Sequence, residues 1–294
     1  MTAQAADPSP GDGSSGRHGP DDTSRGDGRT RGVCLRLAYE GTGFSGWQTQ
    51  PGRRTVQGAL AAAIRAVSGE EVRPRGTSRT DAGVHAMDQV TAFTTASGLD
   101  AATWARALEA TLPVDVAVVS ARDVDPGFDP IAAAVAKRYR YRIHDAPARP
   151  VLARHLVWRW RGRLECDRMV EAARHLVGEH DFTSFEKTPS TRVSKVRTIH
   201  ALEVRRSADQ TGGDADEIWI EVEGNGFLHN MVRIIAGSLV MVGAGRRPAG
   251  WIADALAARS RPAAGPTAPP HGLVLAVTRL SPDPWHVSPS SLGR

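Results

Sequence analysis

Apolar and polar positions alternate in short runs along most of this chain, and a few stretches carry apolar residues at helical spacing instead. Residues 33–39 (Val-Cys-Leu-Arg-Leu-Ala-Tyr) predict a strand, followed by a Gly-rich loop over 40–54. Thr55 can cap an Ala-rich helix running to about Val67. Residues 72–78 read as a strand that enters a polar loop over 79–85, and 89–93 alternate as another strand. Asp100 caps a helix that ends before Leu112-Pro113, and two further strands are expected at 114–121 and 136–144.

Pro147 and Pro150 mark a seam. Beyond it come a strand at 156–160, a helix at 167–177 and strands at 198–205 and 217–223. A long helix is expected over 227–242, a shorter one over 250–258, and a closing strand over 273–280. Each side of the seam thus offers strands and two helices in similar order. This predicts an α+β fold of two related halves, 33–147 and 148–284, each a mostly antiparallel sheet with helices on one face and the active cleft between them. Residues 1–32 hold no Val, Ile, Leu, Phe, Trp or Tyr, so they are expected to form a disordered tail. Residues 285–294 are expected to be a flexible tail.

Composition narrows the classes. The longest apolar stretch, 227–245, is interrupted by His229, Asn230 and Arg233 and is too polar for a membrane span. No charged start followed by an apolar run suggests secretion. Cys34 and Cys166 are the two cysteines and lie far apart, which excludes a zinc knuckle or a disulfide framework and fits a reducing cytoplasm. The net charge is +5, and the basic residues comprise 34 arginines and only three lysines, Lys137, Lys187 and Lys195. The N-terminal tail holds five Asp and four Arg, so the excess belongs to the fold. Arginine is the better bidentate phosphate ligand, which favours a nucleic-acid partner; arginine codons of a GC-rich genome explain the same count.

Four segments could carry chemistry. Gly41-Thr42-Gly43-Phe44-Ser45-Gly46 is a formal G-x-G-x-x-G after a strand, but no helix opens within it and no βαβ unit follows, which argues against a dinucleotide site. Arg53 and Arg54 beside it could approach a phosphate backbone. In the 79–85 loop, Asp81 follows Arg79 by two residues, and Gly83 permits a tight turn. A carboxylate held by an arginine suits a nucleophile or an electrostatic stabiliser; a capped turn with a surface ion pair is the plainer alternative. A Ser78–His85–Asp88 triad lacks a nucleophile elbow. Lys137-Arg138-Tyr139-Arg140-Tyr141-Arg142 puts both tyrosines on one strand face and the arginines on the other, offering rings for bases and guanidiniums for phosphates, or simply a packed face and a solvated one. Lastly, Arg233 sits in a helix apolar nearly all round, where a guanidinium needs an acidic partner; the sharper expectation is that it lines the cleft and faces Asp81.

Together these segments resemble the TruA-type tRNA pseudouridine synthases. The resemblance spans about 33–280 and rests on Tyr39-Glu40-Gly41-Thr42-Gly43-Phe44-Ser45-Gly46-Trp47-Gln48, on Arg79-Thr80-Asp81-Ala82-Gly83-Val84-His85, and on Lys137-Arg138-Tyr139-Arg140-Tyr141. Asp181-Phe182-Thr183-Ser184-Phe185, the 225–237 segment and Pro270-His271-Gly272-Leu273-Val274-Leu275 complete it. It implies two α+β halves around a basic cleft in a homodimer, an RNA-facing first Gly-rich loop, and isomerisation of uridine to pseudouridine in tRNA without cofactor or metal. It further implies Asp81 as the nucleophile, Tyr139 stacking on uracil, Arg233 pairing with Asp81, Arg79 holding a flipped nucleotide and Leu273 walling the uracil pocket. Arg53, Arg54, Arg138 and Arg140 would face the RNA. The chain departs from the family pattern at Ser78, where glycine is usual, at 109–111, and at 128–134, which lacks an arginine and its aromatic neighbour. Those departures raise the same isomerisation of another uridine substrate, an RNA or a free nucleotide, as an alternative. An RNA-binding protein without catalysis is the alternative of another class.

Overall fold

The computed structural model describes residues 30–190, 193–207 and 217–286. The expected tails fall largely outside them. Arg31 and Gly32, counted with the N-terminal tail above, instead open the first strand, β1 (Arg31–Tyr39). Helix α1 (Val56–Ser68) starts where expected, its first turn capped by Thr55 Oγ1 accepting from Gly58 N. Helix α2 (Ala101–Thr111) is likewise capped by Asp100, whose carboxylate accepts from Thr103 N. The remaining strands of the first part are β2 (Arg75–Gly76), β3 (His85–Thr95) and β4 (Val116–Val124), with a one-turn helix α3 (Pro130–Ala133) ahead of β5 (Ala134–His144).

Beyond the prolines come β6 (Trp158–Arg159), α4 (Cys166–Ala173), β7 (Gly178–Asp181), β8 (Val196–Ser207) and β9 (Glu217–Gly224). Helices α5 (Met231–Gly243) and α6 (Trp251–Ala258) and strand β10 (Leu273–Leu280) complete the chain. The α+β class is as expected. The strands join one ten-stranded sheet in the order β4-β1-β3-β10-β5-β9-β8-β7, with β2 on β3 and β6 on β5. The sheet is therefore continuous across the expected seam: β5, which precedes it, is hydrogen-bonded to β9 and β10, which follow it.

The closing strand decides this arrangement. β10 lies between β3 and β5, antiparallel to β5 with Leu273 opposite Tyr141 and Leu275 opposite Tyr139. On its other side it runs parallel to β3, with Val274 opposite His85. One face of the sheet is covered by the helices and carries most of the core, in which Trp47, Trp104, Tyr141, Phe182 and Phe185 are fully buried. A smaller apolar cluster of Cys34, Val90, Ala92, Ala133 and Leu280 is closed by Trp285, over which Arg36 stacks at 4.4 Å. Trp285 is thus packed against the sheet, within the segment expected to be a flexible tail.

Helix α5 is buried as its uniform apolarity requires. It packs so closely on the segment before β10 that a Cβ at Gly237 would stand 1.9 Å from Pro266 O. One turn earlier Arg233 O accepts from Ala268 N at 3.1 Å, so the same close approach anchors the helix start. At β3's first residue, His85 Nδ1 accepts from Gly41 N at 2.9 Å and Nε2 meets His271 O at 3.2 Å. These partners require neutral imidazole, donating from Nε2, and burial pushes the His85 pKa down.

Gly237→Ala should destabilise the protein by roughly 2 kcal/mol or more in urea unfolding, because backbone rather than a flexible side chain must yield. Because the folded His85 binds protons less readily than the unfolded one, its contribution is complete above about pH 6.5. Stability should fall as pH drops below that value, and His85→Asn, whose Oδ1 can still accept from Gly41 N, should flatten that slope in unfolding titrations.

Candidate active site

The turn that presents Asp81 is built from local signals. Val84 N donates to Asp81 O at 3.1 Å, and Gly83 at φ 77° takes the left-handed conformation this turn needs. The Gly-rich loop holds that turn from behind: Trp47 N donates to Thr80 O at 3.0 Å and Gly83 N to Phe44 O at 3.2 Å. Tyr39 and Thr80 hydroxyls share a buried hydrogen bond of 2.7 Å. The formal G-x-G-x-x-G is thus a buttress for the aspartate loop, while Ser45, Gln48 and Gln50 from the same loop line the cleft in front of it.

That cleft measures about 1510 Å³ and opens at the junction of β3, β5, β10 and the start of α5. Asp81 stands on its wall, and Arg233 Nη1 donates to Asp81 Oδ2 at 3.2 Å across 152 residues of chain. Arg233 is itself fixed, with Nε donating to Ala268 O at 2.8 Å and Nη1 to Asn230 Oδ1 at 3.0 Å. His229 Nε2 lies 3.4 Å from the other carboxylate oxygen, Oδ1. The Asp81 carboxylate thus stands between the Arg233 guanidinium and the His229 ring, yet its side chain keeps 24% of its surface exposed to the cleft. An ion pair that aims a carboxylate while leaving it accessible suits nucleophilic attack or proton abstraction.

Helix α5 begins at Met231, four residues later than apolarity alone predicts, because Asn230 at φ 60° turns the chain before it. That turn puts His229 and Asn230 at the site. Helical spacing places both within the helix, and the left-handed backbone at Asn230 that ends this has no counterpart in the apolar pattern.

Tyr139 comes from β5. Its ring is buried, meets Phe227 edge-on at 5.2 Å between centroids, and lines the cleft together with Leu273. Burial first, and then the Asp81 charge, push its phenol up to about 12, so it stays protonated at neutral pH. Arg79 is exposed on the rim and makes no hydrogen bond or ion pair among the described residues, which leaves its guanidinium available.

Four expected RNA contacts are not brought here. Arg54 is engaged by Asp115 at 2.7 Å and stacks on Phe44, and neither it nor exposed Arg53 lines the cleft. Arg138 and Arg140 lie on the sheet face away from Tyr139 and pair with Glu223 and Glu221, their direct cross-strand neighbours on β9. Strand alternation put them on that face, and acidic partners on the adjacent strand engage them there. The basic side chains that line the cleft are instead Arg79, Lys137, Lys187, Arg197 and Arg233, together with the His229 imidazole. Among the described residues no cluster of His, Cys, Asp or Glu could hold a metal ion, and no helix is long and apolar enough to cross a membrane.

Residues 37–130 and 172–279 match the family described as tRNA pseudouridine synthase. The chain is 43% identical over 241 residues to tRNA pseudouridine synthase A of Myxococcus xanthus, covering 82% of this chain and 89% of that one. It is 43% identical to the protein of the same name from Brevibacillus brevis, over 81% and 95% of the two chains. The Geobacter sulfurreducens protein of that name is 41% identical, over 85% and 100%. Among solved structures, a chain from a Cbf5-Nop10-Gar1 complex aligns with a TM-score of 0.30 at 12% identity over 71% of this chain and 54% of that one, too distant to bear on the fold or the chemistry. The matched residues include the Asp81 turn, the start of α5 and most of β10, whereas Lys137 and Tyr139 of β5 fall between the two matched stretches; this chain belongs to the tRNA pseudouridine synthase family.

Proposed function

We propose that this protein isomerises uridine to pseudouridine in the anticodon stem-loop of tRNA, with Asp81 as the nucleophile and without cofactor or metal. On this reading it acts as a cytoplasmic homodimer. The observation that carries the chemistry is the Asp81 carboxylate, aimed by Arg233 and still open to a cleft large enough for a nucleotide. The relatives named tRNA pseudouridine synthase A support the choice of tRNA over a free nucleotide.

The bond to be broken joins N1 of uracil to C1′ of ribose, and neither atom is reachable in a stacked stem, so the nucleotide must flip into the cleft. Arg79 on the rim is suited to hold it there. Two routes use the same carboxylate. In one, an Asp81 oxygen attacks C1′ as the N1–C1′ bond breaks and uracil leaves with the electron pair. In the other, Asp81 removes the C2′ proton while uracil leaves, giving a glycal that later regains that proton. Either way uracil rotates against the Tyr139 ring and C5 bonds to C1′, on the first route as the Asp81–C1′ bond breaks and frees the carboxylate, on the second as C2′ of the glycal takes back its proton; the C5 proton then departs as N1 gains one. With its phenol held protonated, Tyr139 serves as a stacking surface and a hydrogen-bond donor, and Leu273 as an apolar wall. Arg233 fixes the direction of attack through its three hydrogen bonds.

Asp81→Asn should lower tritium release from tRNA labelled at uridine C5 by at least about 10³-fold while tRNA binding persists. Turnover near the wild-type rate would overturn the assignment of Asp81. Release from a mononucleotide, with none from tRNA or an isolated stem-loop, would replace the tRNA reading with the alternative substrate. Tyr139→Phe keeps the ring and loses the hydroxyl. It should retain tRNA affinity and lower the rate at saturating tRNA by about 10²-fold, the scale of one positioned hydrogen-bond donor lost from an active site.

A further inference from the structure

Only three of the chain's basic residues are lysines, against 34 arginines. With lysine so rare, the places of the three can be followed one by one. All three gather at one place. Lys137 and Lys187 line the cleft. Lys195 stands beside it, its Nζ bonded to Glu186 and, at 2.7 Å, to Ser190 Oγ. Ser190 Oγ in turn donates to Glu186 Oε1 at 2.6 Å.

Glu186 is the centre of this cluster, and its side chain is only 2% exposed. A carboxylate so buried is stable only when its charge and its oxygens are matched, which Lys195 and Ser190 do. Its neighbour Lys187 points the other way. The Lys187 side chain is exposed on the cleft, with no hydrogen bond or ion pair among the described residues, while its backbone N donates to His229 O at 3.0 Å. The cluster therefore pins one end of the rim to the core, and the bond to His229 ties that rim to the residue facing Asp81.

We propose that Glu186, Ser190 and Lys195 form a clasp that presents Lys187 to a backbone phosphate of the bound RNA strand, next to the flipped nucleotide. Lys187 is then a phosphate contact, and the three clasp residues are positioning residues that act through it. The proposal rests on the RNA substrate argued above. Phosphate contacts position a nucleic acid without reading its bases, and each one adds a counterion-release increment to the salt dependence of binding.

The test measures dissociation constants of full-length protein and unmodified tRNA across a series of salt concentrations. The variants are Lys187→Ala, Glu186→Gln and the two combined. Lys187→Ala should raise Kd about threefold to tenfold at low salt and flatten the slope of log K against log salt by about 0.7–0.9, the increment of one phosphate contact. Glu186→Gln should do the same in smaller measure. The double variant should be no weaker than Lys187→Ala alone, because the clasp acts through that lysine. An unchanged slope in Lys187→Ala, with wild-type protein still binding and modifying tRNA, overturns the phosphate contact and leaves the functional reading standing. An additive double variant overturns the clasp. Wild-type protein that neither binds nor modifies tRNA overturns the functional reading and this inference with it.

Discussion

The insertion of β10 between β3 and β5 is the constraint on which the rest of the molecule depends. The last described strand is the one that makes the sheet continuous, because β3 and β5 bond to it and not to each other. β3 carries the Asp81 turn at its start, β5 carries Tyr139, and β10 itself brings Leu273 to the same end. The segment just before β10 also holds Ala268, whose backbone takes the Arg233 side chain. One strand placement thus assembles a carboxylate, a ring, an apolar wall and the anchor of a guanidinium that are far apart in sequence.

Charge is distributed with the same economy. Several arginines on the strands are matched by acids on adjacent strands, as along β5 and β9, where Arg138, Arg140 and Arg142 meet Glu223, Glu221 and Glu217. Such pairs on a half-exposed sheet face add modestly to stability and neutralise charge that could otherwise attract a phosphate. What remains at the cleft is a small group of cations, of which Arg233 points inward to Asp81 while Arg79 and Lys187 stand open at the rim. A basic composition therefore says less about where RNA would bind than the ion pairs do.

Local signals were legible where the chemistry is local. Thr55 and Asp100 cap the helices they were expected to cap, and the alternation at 136–142 correctly separates tyrosines from arginines. The Asp81–Arg233 pair was also anticipated, because a guanidinium in an apolar helix demands an acid. Illegible were the break at Asn230, where a left-handed residue hides inside an apolar run, and the partners of Arg54, Arg138 and Arg140. Those partners lie 61 to 85 residues away and become neighbours through strand register for Arg138 and Arg140, and through the packing of the Gly-rich loop beside the start of β4 for Arg54.

The sequence by itself determined the α+β class, the helix caps, the aspartate turn with its glycine, and the residue types that the family chemistry needs, because each follows from short-range periodicity or from a contiguous motif. Only the tertiary structure decided which cations stay available and which are paired, and that the Gly-rich loop braces the Asp81 turn. It alone put His229 beside Asp81 and gathered the three lysines at one rim. These depend on strand order and register, through which residues distant along the chain come within a few ångströms, and no local pattern encodes that distance.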